Sequence, residues 1–141
     1  MSGLLVWHVC AVAFWFGVVG AEFVIERSRA ESTPHGFAVA RNHYWIDLLL
    51  EMPAYVAVGI TGGLLLAQTA LTPWLLVKAG FGVVAIAANA WCWLPVLRRQ
   101  RAAAMGDLAA VIRYSRMIDR VTVIGLPAAL MAFALGLYLA P

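Results

Sequence analysis

Four long stretches of this 141-residue chain carry almost no formal charge: 3–24, 44–68, 73–97 and 119–140. Each reaches the roughly 20 residues that an α-helix needs to cross the hydrocarbon of a bilayer. They are rich in Leu, Ala, Val and Gly. They show no period-two alternation and are too long for barrel strands. The pattern predicts a single integral membrane domain, an all-α four-helix transmembrane bundle. The first stretch reads as a helix and not a secretory signal, because no basic segment precedes it and "FVIERSR" after it is no small-residue cleavage site.

Composition agrees. The chain is 64% hydrophobic and 12% charged, about half the charged fraction of a soluble domain, roughly 25%. Nine of the ten basic residues sit in or beside two connections. Arg27, Arg29 and Arg41 belong to the first, and Arg98, Arg99, Arg101, Arg113, Arg116 and Arg120 to the third. The second connection, "AQTALTPW", has none. The positive-inside rule then places the first and third connections in the cytoplasm and both termini outside, in a bacterial inner membrane. The net charge of +3 is a topology signal. It is not the concentrated basic surface that nucleic acid requires. The lipid bilayer is the expected partner. Within the third connection, "GDLAAVIRYSRMIDR" reads as an amphipathic helix running into the fourth span.

The spans resemble one another in pairs. Spans one and three both carry "LLV" before an ionisable residue and end near "ERSR" and "RRQR". Spans two and four both carry Ile-Asp, then a proline (Pro53, Pro127), then a glycine before a leucine-rich end. Two similar helical hairpins in the same orientation are expected, related by an axis along the membrane normal. Small residues such as Gly17, Gly59, Gly62 and Gly82 favour close helix approach, which also leaves room for a homodimer or another membrane partner.

An ionisable residue at the membrane centre costs about 2.5–3.5 kcal/mol on insertion scales, so each one needs an account. They fall in two layers. His8 and Lys78 lie about five residues inside the outward ends of their helices, roughly 7–8 Å deep. At that depth an imidazole and a neutral amine have the chemistry to flank a flat ligand such as a heme. Equally, His8 can hydrogen-bond a neighbouring helix and Lys78 can snorkel to the headgroups. The second layer is Glu22, Asp47, Glu51 and Asn89, with Asp119. Three files at helical spacing run through these positions: His8–Trp15–Glu22, Lys78–Ala85–Asn89 and Asp47–Glu51–Tyr55. Pairing with Arg41, Arg113, Arg116 or Arg120 accounts for them structurally. A proton path, or a divalent-metal site with His43, Asp47 and Glu51 at i, i+4 spacing, accounts for them functionally. Cys10 and Cys92 lie inside spans without any metal or redox spacing.

"LLVWHVCAVAFWFGVVGAEFV" resembles the first helix of the HemJ/CopD group of small four-helix membrane proteins, and "PWLLVKAGFGVVAIAANAW" resembles the HemJ third helix. The resemblance implies a heme b-binding inner-membrane oxidoreductase of protoporphyrinogen oxidase type, with His8 as a heme-iron ligand and Lys78 as a possible second one. The chain departs from HemJ at Glu22, where HemJ has arginine, and at Ile124-Gly125-Leu126, where it has Asn-Glu before the proline. Copper handling of the CopD type has only His8, Cys10 and scattered methionines behind it. "WIDLLLEMPAYVAVGITGGLLLA", "NAWCWLPVLRRQR" and "DRVTVIGLPAALMAFALGLYLA" are similar, over helices two to four, to a family of bacterial integral membrane proteins of unassigned function. The expectation is therefore a heme b-binding protein. The alternative is a non-enzymatic membrane module: an accessory subunit, or a carrier of protons, metal or a small solute.

Overall fold

The computed structural model describes residues 3–139. Ala140, at the end of the fourth predicted span, lies outside the described residues. The elements are α1 (Gly3–Arg27), α2 (Thr33–Ile46), a π-helical turn (Asp47–Glu51), α3 (Met52–Gln68), α4 (Pro73–Ala104) and α5 (Leu108–Tyr138). No strand occurs among the described residues. The α2–π–α3 run is one continuous 36-residue helix, so four helices are long and apolar enough to span a membrane. The fold is an all-α four-helix transmembrane bundle. Surface residues such as Val123 (73% exposed) and Val83 (66%) make sense only against lipid.

Helix starts follow local chemistry. The Ser32 side chain accepts from the backbone N–H of His35 (3.2 Å), Thr72 from Leu75 (3.2 Å) and Asp107 from Ala110 (2.9 Å). Each satisfies a donor that the first turn leaves orphaned. Pro34 and Pro73 sit in first turns, where a missing N–H is harmless. The α4–α5 turn closes through Gly106 N–H to Ala103 O (3.1 Å) and Asp107 N–H to Ala102 O (2.9 Å). Gly106 has φ +73°, the left-handed conformation that ends helices and favours glycine.

The helices extend further at the arginine-rich end than the apolar spans do. Residues 33–43 are already helical, α4 runs on to Ala104, and residues 108–118 belong to α5. Amphipathic segments there keep one buried face: Val39, Ala40 and His43 in α2, and Val111, Ser115 and Ile118 in α5.

The α4–α5 hairpin packs most extensively; α3 lies on α1, and α2 lies on α4. Trp15, Ala54, Val58, Ala85 and Ala128 form the mid-bundle core. Close approach is enforced at Gly125, where an added Cβ would sit 3.0 Å from that of Ala88. The two hairpins share one packing detail. His8 lies against Gly62, and Lys78 against Gly136. They differ in another: Asp47 is buried, whereas the matching Asp119 is exposed.

Candidate functional site: a buried carboxylate–histidine centre

The π-turn builds one wall of the site. Pro53 has no N–H, and a proline ring crowds the carbonyl four residues back. The chain widens just ahead of it, with Met52 N–H bonding to Asp47 O. Four residues of α-helix overshoot a full turn by about 40°. Four residues of the wider π-turn fall short of one. The two drifts offset each other, so His43, Asp47 and Glu51 stay in a single file facing inward.

Opposite them, α1 contributes Trp15, Glu22 and Glu26, and α4 contributes Asn89 and Arg99. Glu51 Oε1 accepts from Trp15 Nε1 (3.1 Å) and Asn89 Nδ2 (2.7 Å). Arg99 is 1% exposed. It grips Glu26 with both terminal nitrogens, Nη2 to Oε1 at 2.7 Å and Nη1 to Oε2 at 3.0 Å. Its Nη1 also donates to Ser115 Oγ (3.2 Å), and its Nη2 lies 2.7 Å from His43 Nδ1. His43 Nδ1 also contacts Glu26 Oε1. The other ring nitrogen, Nε2, faces Asp47 Oδ1 at 3.2 Å and Glu22 Oε1 at 3.9 Å. Neither of these two oxygens has a hydrogen-bond partner, although both are buried; Arg99 Nε is in the same position. Four carboxylates thus face one imidazole, the buried Arg99 guanidinium and, at the rim, Arg29, whose Nη1 donates to Glu26 Oε2 at 2.9 Å.

A half-open cleft of about 510 Å³ leads to this centre between α1 and α5, lined by Glu22, Glu26, His43, Glu51 and Asn89 among others. Two contacts tie α1 and its following turn to α5. The Phe16 and Phe133 rings lie 5.4 Å apart. At the arginine-rich end, Arg29 makes a forked ion pair with Asp119, at 2.6 and 3.0 Å. Hydrogen bonding to Asp119 raises the Arg29 pKa above the ordinary arginine value, with Glu26 adding to the effect.

The predicted inner layer of Glu22, Asp47, Glu51 and Asn89 therefore converges on one centre, and Asp119 stands at its rim. The ion-pair partners differ from those expected. Arg99 and Arg29 do the pairing. Arg113 is exposed and lies over the Tyr114 ring at 5.0 Å, and Arg41, Arg116 and Arg120 are exposed as well. Glu26 and Arg99 were not singled out from sequence, being indistinguishable there from boundary charges.

The outer pair is a separate feature. His8 and Glu22 are fourteen residues apart on α1, about 21 Å. His8 Nδ1 is 2.9 Å from Thr61 Oγ1, which bonds onward to Ala57 O at 2.6 Å. Lys78 lies between α4 and α5. No hydrogen bond joins His8 to Lys78 among the described residues.

Comparison with family models, curated proteins and solved structures finds no match to this chain. The HemJ-like and unassigned-family resemblances rest on the residues quoted above.

Proposed function

We propose that this protein is a non-enzymatic carrier of a small cation, proton or metal ion, in a bacterial inner membrane. Its arginine-rich end faces the cytoplasm and both termini face out. The observation that carries the reading is the excess of carboxylates: Glu22, Asp47 and Glu51 are buried, the half-buried Glu26 takes up Arg99 and Arg29, and His43 is the cation left facing Glu22 and Asp47. Burying unpaired charge in hydrocarbon is costly, so such a centre calls for an exchangeable positive charge. The cleft between α1 and α5 supplies a route from the arginine-rich end. The core of Trp15, Ala54, Val58, Ala85 and Ala128 closes the other side, as expected of a carrier that opens to one side at a time. The test is flux in proteoliposomes, read by an internal pH dye and by internal metal content under an imposed gradient. Flux that disappears in Glu51→Gln and Asp47→Asn supports the reading. Wild-type vesicles as tight as empty ones refute it.

A second reading, heme b binding of redox or heme-metabolic type, is favoured by one observation. Thr61 holds His8 Nδ1, which leaves Nε2 as the nitrogen for iron, the arrangement in which a partner fixes a ligand's orientation. Lys78, lying on the other hairpin, is the candidate second ligand. The oxidised and reduced absorption spectra test it. A Soret band lost in His8→Ala supports heme. A colourless protein after expression with added heme removes it.

A further inference from the structure

We propose that Glu22, His43 and Asp47 bind a divalent first-row transition-metal ion. One ligand atom from each residue falls within 4.8 Å of the other two. The three residues are 7%, 6% and 5% exposed. Two of the three carry buried oxygens, Glu22 Oε1 and Asp47 Oδ1, without hydrogen-bond partners. Both face His43 Nε2: Asp47 Oδ1 at 3.2 Å is within reach of the one proton that this nitrogen can carry, and Glu22 Oε1 at 3.9 Å is beyond it. Buried acceptors are ordinarily satisfied, so the geometry leaves a place for an electrophile among these three atoms. Ligand distances of about 2.0–2.2 Å require the atoms to draw together slightly, a shift that side-chain rotation supplies.

The donor set selects the metal class. One imidazole and two carboxylates suit Mn²⁺, Fe²⁺ or Zn²⁺. Mg²⁺ and Ca²⁺ favour oxygen alone, and Cu⁺ favours sulfur. Arrangements around the triad fit as well. Glu26 and Arg99 engage His43 Nδ1, which turns Nε2 toward Glu22 Oε1 and Asp47 Oδ1. Such second contacts commonly tune affinity 10–100-fold. Arg99 also keeps a fixed positive charge beside the site, which limits affinity and suits an ion that must leave again.

This inference rests on reading the buried centre as a cation site, and it narrows the cation. The experiment is titration of the dialysed, detergent-purified full chain with Co²⁺, followed by its visible d–d bands, with Zn²⁺ as competitor. One saturable equivalent, displaced by Zn²⁺, is expected. Glu22→Gln, Asp47→Asn and His43→Gln each weaken it by more than about tenfold, and Glu26→Gln by about 10–100-fold. The isosteric Glu22→Gln and Asp47→Asn changes also relieve carboxylate crowding. Their metal-free forms are therefore expected to melt at or above the wild-type temperature, which separates lost ligation from lost folding. Absent binding, or binding unchanged in Asp47→Asn and His43→Gln, overturns the proposal. Proton flux without Co²⁺ binding refutes the metal and keeps the carrier. Co²⁺ binding without flux keeps the metal and refutes the carrier.

Discussion

Replacing Arg99 by methionine keeps most of its volume and removes the fully buried guanidinium of the centre, leaving the partly exposed Arg29 on Glu26. The wild-type side chain is 1% exposed and makes a two-pronged contact with Glu26 at 2.7 and 3.0 Å, plus a bond to Ser115 at 3.2 Å. Breaking a buried pair by deleting one partner costs about 3–5 kcal/mol when the other charge is left uncompensated. Glu26 keeps Arg29 Nη1 at 2.9 Å and its contact with His43, so the low end, about 3 kcal/mol, is expected. That is roughly two orders of magnitude in the folding equilibrium. Most of the loss belongs to Glu26 and not to arginine packing, so Arg99→Met/Glu26→Gln recovers a large part of it. The coupling in the double-mutant cycle is expected to exceed about 1.5 kcal/mol, the low end for charged hydrogen bonds. Arg99→Lys falls between, since an ammonium cannot reproduce the fork. The assay is equilibrium unfolding in mixed detergent–SDS micelles, followed by tryptophan fluorescence. Arg99→Met within about 0.5 kcal/mol of wild type, the range of an ordinary surface change, refutes the reasoning. Additive single and double variants do so equally.

Other changes read other parts of the structure. Trp15→Phe deletes one of the two donors to Glu51 and is expected to cost about 1.5–3 kcal/mol in the same assay. Gly106→Val forces a β-branched residue to φ +73° and should cost at least about 1–2 kcal/mol, lowering the thermal midpoint. Asp119→Asn, at a half-exposed ion pair, should change stability by no more than about 1 kcal/mol, and by less in high salt. The raised Arg29 pKa contributes stability that is complete below the ordinary arginine value and lost only above it. Titration from pH 6 to 9 should therefore show no loss traceable to Arg29, checked by comparing Arg29→Gln with wild type across that range.

Hydropathy made the four helices legible because lipid imposes the same demand on every turn of a span. Hydropathy alone stops short at the arginine-rich side, where the amphipathic pattern of "GDLAAVIRYSRMIDR" carries the fourth helix on as read, and the extensions of α2 and α4 are the part not read. There the helices leave the apolar zone and continue as amphipathic segments, held by buried faces such as Val39–Ala40–His43. The convergence of Glu22, Asp47, Glu51 and Asn89 was readable, since each sits on a file of helical spacing. Arg99 was not readable as their counter-ion. An arginine that turns inward and one that snorkels outward have the same sequence context, "LRRQR", and Glu26 is 73 positions away. Nor did Ile-Asp at 46–47 and 118–119 predict that one aspartate would be buried and the other left at the rim. That depends on which helix lies opposite, and Asp119 meets Arg29 instead of an interior.

The π-turn at Asp47–Glu51 also acts as a phase shifter. An uninterrupted α-helix of 36 residues keeps one stripe toward one neighbour. Here α2 lies on α4, and α3 lies on α1, so the same helix serves two different neighbours along its length. The extra residue in the wide turn offsets the two stripes, and the acidic groups fall at the seam. Rewinding Asp47–Glu51 as regular α-helix with no residue lost would swing everything beyond by close to one residue's turn, about 100°. It would carry Glu51 away from Asn89 and Trp15 and present the wrong side of α3 to α1. The irregularity thus sets the angular register between the two halves of this helix, and the centre exists only at the offset it provides.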